Sequence, residues 1–218
     1  MLIIAWGIVV SLQNIPFGVS KTKVGSHYLE NGVEETGASN IVTSVVLGYR
    51  GFDTLGEVTV LFLAALALGT VLASLKKKSD KKVEQASLIL TTGCKFLFPL
   101  ILLFGVYIFI HGHLTPGGGF QGGAIIASGF LLVYLGCRGK RINESASKAV
   151  ESIGGLALIV LGLIGLTVGR HYFLSNFLPH GTLNTLFSAG IIPILYIAIG
   201  LKVGSELSGI IDRLIEES

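Results

Sequence analysis

The chain has 218 residues, of which 51% belong to the hydrophobic set and only 13% are charged, with a formal charge of +3 and a mean hydropathy of +0.76. Soluble domains carry about a quarter charged residues, and crossing about 30 Å of hydrocarbon takes roughly 20 apolar helical residues, so this is an all-α integral membrane protein. No basic stripe with interleaved aromatics occurs, which excludes nucleic-acid binding, and neither a Walker loop nor an HExxH motif points to a catalytic centre.

About six spans are expected, as helices because barrel strands alternate and need only about ten residues. The first, Leu2–Val19, is interrupted by Gln13, Asn14 and Pro16. Its start lacks the positive flank of a signal peptide, so it reads as a retained span. The second runs from about Thr54 to Leu75, the third from Ala86 to His111, and the fourth from Gly122 to Cys137. The fifth covers Lys148–Tyr172 and the sixth Leu183–Leu207, with Leu207, Ile210, Ile211 and Leu214 carrying the helical pattern onward. Between the first two, "SKTKVGSHYLENGVEETGASN" is polar, then "IVTSVVLGYR" turns apolar. Ile41 with Val45, or Val42 with Val46, stack at i, i+4 behind a Ser39 N-cap, which predicts one short amphipathic helix at the membrane surface.

Lysine and arginine placement sets orientation. On one side fall the lysines of "KKKSDKK", Arg138, Lys140, Arg141, Lys148, Lys202 and Arg213; on the other stand Lys21, Lys23, Arg50 and Arg170. The bias predicts both termini inside. The lysine-rich loop also divides the chain into a two-span module, residues 1–80, and a four-span module, residues 81–218. Cys94 and Cys137 have no CxxC spacing and read as two small buried side chains.

An ionisable group at membrane depth costs roughly 2.5–3.5 kcal/mol on insertion scales and is a functional candidate by default. Lys95 lies nine residues into the third span, about 13 Å at 1.5 Å per residue. It either snorkels to the interface or faces the interior, with Glu151, one turn into the fifth span, as its expected partner. Glu57 lies a turn into the second span with Asp53 four residues earlier on the same face. The pair either complements the helix dipole or forms a cation or proton entry point. His111 and His113, spaced i, i+2, cannot share a helix face. No metal site is expected from them, though they suit a proton path near the membrane edge.

The histidines open "HGHLTPGGGFQGG". Pro116 stops a helix, and Gly117, Gly118 and Gly119 before Phe120 permit positive φ or close backbone approach. Gly122, Gly123 and Gly129 allow tight helix packing. The turn reads as a protein–protein seat.

Two strings carry a family resemblance. "ETGASNIVTSVVLGYRGFDTLGEVTVLFLAAL", with Asn40, Arg50, Asp53, Gly56 and Glu57, resembles the C-terminal part of the A subunit of Mrp-type multisubunit Na⁺/H⁺ antiporters, which also occurs as a separate MbhE-like protein. "GHLTPGGGFQGG", with Gly112, His113, Pro116, Gly117, Gly118, Gly119 and Phe120, resembles the B subunit, of MnhB type. The resemblance implies a fusion of the two: a non-catalytic, multi-pass subunit in a prokaryotic cell membrane, surrounded by sister subunits of a Mrp-like complex. It implies no cofactor in this chain, Na⁺ and H⁺ as the transported ions, and a possible hydrogenase or sulfur reductase arm on other chains. Glu57, Asp53, Lys95, His111, His113 and Glu151 are then candidates for the ion path. The alternative is a purely structural subunit without an ion path. The long antiporter helices of the family are absent, so the chain by itself lacks the main proton pump.

Overall fold

A computed structural model describes residues 2–13, 23–75, 86–137, 143–169 and 172–217. Helix α1 is Leu2–Gln13, α2 is Lys23–Thr36, and α3 is Ile41–Thr43, continued by π-helical turns at Ser44–Tyr49. Helix α4 is Gly51–Leu75, α5 is Leu88–Ile110, α6 is Gly119–Gly136, α7 is Glu144–Ile164 with π turns to Gly169, and α8 is Ile192–Glu217. No strand occurs among the described residues. Five helices (α4 to α8) are long and apolar enough to cross a membrane, and α1 is a shorter apolar helix. The rest of the first expected span lies outside the described residues. So does most of the loop charge on which the orientation rests.

Local chemistry sets the helix starts. Ser87 caps α5 by accepting from the Leu90 amide at 3.2 Å, and Asn143 caps α7 by accepting from Ser145 at 3.1 Å and Ala146 at 3.4 Å. Each satisfies amides that have no partner inside the helix. The fifth span therefore begins at Glu144, one turn before the Lys148 predicted. The fourth begins at Gly119 and takes in Phe120 and Gln121.

Two expectations need correction. The sixth span starts at Ile192 and not at Leu183. Residues 172–191 are irregular because Asn184, Ala189, Gly181 and Gly190 all hold positive φ, which a helix cannot accommodate. Asn176 stitches that segment, donating to the Ala189 carbonyl and accepting from the Ile191 amide, both at 3.1 Å. The second correction is α2: one short helix was expected between the first two spans, and the polar stretch before it forms a helix of its own. It is held by its contact face and not by hydrophobicity: Thr36 and Ser44 share a hydroxyl hydrogen bond of 2.8 Å. Gly32 lets the Ile41 side chain come close enough that an added Cβ would meet it at 2.7 Å. The cap of α3 is Asn40, accepting from Val42 at 3.1 Å, and not Ser39.

Helix α8 is the central post. Leu195, Tyr196, Ile199 and Val203 are buried along it, against Leu158 of α7 and Val58 of α4. Backbone contact with its neighbours depends on glycine: a Cβ on Gly123 of α6 would lie 2.9 Å from the Gly204 nitrogen, and one on Gly154 of α7 would lie 2.8 Å from the Ala198 carbonyl oxygen. The small residues predicted to permit close packing thus do so within the chain. Helices α5 and α6 form an antiparallel hairpin, and near its open end Cys94 and Cys137 are joined as a disulfide. Cys94 is fully buried, as read from the sequence, while its pairing with Cys137 is tertiary and leaves no local spacing to recognise.

Candidate functional site

Close packing of α7 on α8 brings three charged side chains together inside the bundle. Lys202 Nζ donates to Glu206 Oε2 at 3.1 Å and to Glu151 Oε1 at 3.3 Å. The Glu206 side chain is 1% exposed, Lys202 9% and Glu151 23%, so the cluster is sealed on the Glu206 side and accessible on the Glu151 side. Lys202 and Glu206 are one turn apart on α8, which puts them on one face, and Gly154 and Gly155 clear room for the lysine stem. The ammonium also lies 4.8 Å from the centre of the Phe62 ring of α4. Ten residues separate Ile192 from Lys202, about 15 Å at 1.5 Å per residue, so Lys202 lies well inside the candidate span Ile192–Ile215.

A cleft of about 330 Å³ leads to it. Glu144, Lys148, Asp212 and Arg213 line one end of the cleft, and Glu151 and Glu206 line the deep end. Lys148 and Glu144 pair at 2.7 Å. Polar groups at this depth are tolerated where they line a cavity. An arrangement of two carboxylates sharing one ammonium beside a cleft can bind a small cation or pass protons.

The predicted residues are placed as follows. Glu151 is in the cluster, but its partner is Lys202. Lys95 is exposed on α5, so the expected Lys95–Glu151 pair is corrected: the bundle turns α8, and not α5, toward Glu151. Asp53 accepts from Arg50 Nε at 2.6 Å, and both it and Glu57 are exposed on α4. His111 stacks on Tyr107 with ring centres 4.2 Å apart. His113 is 0% exposed; its Nε2 donates to the Thr185 carbonyl at 3.4 Å and its Nδ1 has no described partner. Burial pushes its pKa below the usual histidine value, favouring the neutral ring. No group of three or more His, Cys, Asp or Glu is placed to hold a metal among the described residues.

The glycine turn clasps the other half of the chain. Asn40 Nδ2 donates to the Gly112 and Thr115 carbonyls at 2.9 and 3.0 Å. Thr43 donates to Gly112 at 2.7 Å and shares a 2.7 Å hydrogen bond with Tyr196 of α8. Gly118, at φ +152°, lies against Tyr196, where an added Cβ would meet the ring at 3.1 Å.

Lys202 and Glu206 are the residues that sequence reasoning missed, Lys202 having been counted with the tail. A signal was present: ten residues without a charge, "IPILYIAIGL", precede a lysine with a glutamate at i+4.

Fold and site together define a multi-pass membrane protein with a charge cluster buried between its spans. Residues 89–209 match the family described as a domain related to the MnhB subunit of Na⁺/H⁺ antiporter, and the chain belongs to that family. Residues 2–86 match the MbhE family. An uncharacterised protein of Methanocaldococcus jannaschii is 32% identical over 194 residues, 78% of this chain and 74% of that protein. A putative antiporter subunit mnhB2 of Staphylococcus aureus is 32% identical over 58% of this chain and 96% of its own length. Among solved structures, a chain of the membrane-bound sulfane sulfur reductase, an archaeal respiratory membrane complex, superposes with a TM-score of 0.78 at 47% identity, covering 98% of this chain and 94% of that one. A chain of the Mrp complex from Dietzia superposes with a TM-score of 0.75 at 27% identity, covering 98% of this chain but 25% of that longer one.

Proposed function

We propose that this membrane component of a multisubunit ion-translocating complex supplies part of the route taken by Na⁺ or H⁺, and that the route passes through the Lys202, Glu151 and Glu206 cluster. The observation that carries this reading is the cluster itself. Three ionisable groups inside candidate membrane spans, reached by a cleft with charged residues along it, are costly to keep, and packing alone gives no reason for them. Likeness to the sulfane sulfur reductase chain over nearly the whole length supports a reductase arm on other polypeptides, ahead of a hydrogenase. The matches to residues 2–86 and 89–209 support the division into modules 1–80 and 81–218.

Glu57 and Lys95 belong to this proposal in a different way. Both are exposed on the surface of this chain at membrane depth, which suits faces covered by sister subunits. Asp53, at the start of α4, and His111, after the end of α5, lie at the end of the bundle where such a route would meet water, and His113 is buried in the turn that follows.

The test uses the whole complex in proteoliposomes. Glu206→Gln and Glu57→Gln are expected to leave assembly intact and to reduce cation/proton exchange. Unchanged transport in both variants would leave the chain a purely structural subunit.

A further inference from the structure

Within the cluster, the charges do not balance. Glu151 and Glu206 bring two negative charges and Lys202 brings one positive, so one negative charge remains at the deep end of the cleft. The described groups at the shallow end cancel: Glu144 and Asp212 are answered by Lys148 and Arg213. The imbalance is therefore local to the buried cluster, where low polarity makes it most costly. Tyr134, the remaining titratable group lining the cleft, is neutral when protonated and does not alter the count.

The ammonium cannot correct this. Two of its three N–H donors meet Glu206 and Glu151, and the Phe62 ring centre lies 4.8 Å from the nitrogen. The deficit has a definite chemical address instead: Glu206 Oε1 is buried with no hydrogen-bond partner. A carboxylate oxygen in that position is strongly disfavoured, whereas the carbonyl oxygen of a neutral carboxyl group is tolerated far better.

We infer that Glu206 is a proton-storing site, loaded from the cleft through Glu151 and the Lys202 ammonium, and that the ion held by this cluster is H⁺ and not Na⁺. This deepens the function proposed above and rests on it. One proton cancels the surplus charge and removes the orphaned carboxylate oxygen in a single event. A sodium ion would need several oxygen ligands around it, whereas Glu206 Oε1 is buried with no polar partner. A proton needs no such ligand shell.

Transfer is balanced at each bond. A hydronium ion entering the cleft loses one O–H bond as a new O–H bond forms on the more exposed Glu151, and leaves as water. The Nζ–H bond toward Glu206 breaks and an O–H bond forms on the Glu206 carboxyl group, leaving a neutral amine with its lone pair. That lone pair takes the proton from Glu151, whose O–H bond breaks as the new N–H bond forms. The ammonium is restored, one proton has moved from the cleft to Glu206, and no electron has changed hands.

Difference infrared spectroscopy on the purified complex, recorded across a pH titration with and without Na⁺, tests the inference. The wild type should show the carbonyl stretch of a protonated carboxyl group. Glu206→Gln should lose that band together with proton flux. Glu151→Gln removes the surplus negative charge, so it should confine the band to lower pH and, within that range, fill it more slowly after a pH jump, which a merely structural role for Glu151 would not produce. Lys202→Met, which removes the only positive charge in the cluster, should keep the band to higher pH. A band displaced by Na⁺ would make the site a sodium site and overturn the inference. So would the absence of any band that Glu206→Gln removes, even where that variant reduces transport and thereby upholds the broader function. Transport unchanged by Glu206→Gln and Glu151→Gln would instead sink the route proposal on which the inference rests.

Discussion

Lys202 shows how a membrane helix retains a cation. Its stem runs past Gly154 and Gly155, and its head meets two carboxylates and an aromatic face. Such an assembly adds little net stability, because the attraction between buried charges is largely offset by the loss of their hydration. Removing one member is another matter. At a pH where Glu206 is ionised, Lys202→Met leaves it and Glu151 without a counter-ion, and breaking a buried pair costs about 3–5 kcal/mol. A lower melting temperature of the detergent-solubilised complex is the expected outcome. Adding Glu206→Leu to that variant should recover most of the loss, since well-packed apolar replacements of buried ion pairs are close to neutral. Equal melting of the single and double variants would mean that Glu206 does not depend on the lysine.

Helix-scale order comes from glycine where α6 and α7 press on α8. At Gly123 an added methyl would meet the Gly204 nitrogen and Val203 Cβ, both at 2.9 Å, and the Gly200 oxygen at 3.0 Å, none of which can rotate aside. Gly123→Ala should therefore force α6 away from α8 at a cost of about 1–3 kcal/mol, the range for overpacked interiors. Gly56 on α4 has nothing within 4 Å of the same position. Gly56→Ala should stabilise its helix by up to about 1 kcal/mol through propensity. Thermal unfolding of the two variants beside wild type checks the contrast, and similar melting would remove the packing argument. Much at this scale was legible in the sequence, because lipid-length apolar runs declare spans and paired glycines declare close helices. Asn40 could have been read as a cap, being as good a capping residue as the Ser39 chosen. What stayed hidden depended on tertiary contact. Helix α2 has a polar composition and is fixed by Thr36 and Ser44, and the start of α8 is decided by positive-φ residues inside an apolar run. The partner of Glu151 lies 51 residues away on a helix whose rotation no local pattern reveals.

Across the whole molecule, the two sequence modules are tied at one end by Asn40. Its amide nitrogen bonds the Gly112 and Thr115 carbonyls, its amide oxygen caps α3, and its backbone N–H donates to the His113 carbonyl at 3.0 Å. Two functions of one side chain can thus be separated by substitution. Asn40→Ala loses cap and tether together, and each neutral hydrogen bond is worth about 1 kcal/mol. Asn40→Asp keeps the cap acceptor but turns the Nδ2 donor into a second oxygen facing two carbonyl oxygens, which repels where it formerly bound. If the tether matters more than the cap, Asn40→Asp should loosen residues 23–50 at least as much as Asn40→Ala does. The spans should stay assembled in both variants, because Val58 of α4 remains packed in the apolar core around α8. Amide hydrogen exchange of the complex reads this directly: faster exchange confined to residues 23–50, in both variants, is the expected result. Protection restored by aspartate would show that the cap, and not the bridge to the glycine turn, holds the segment in place.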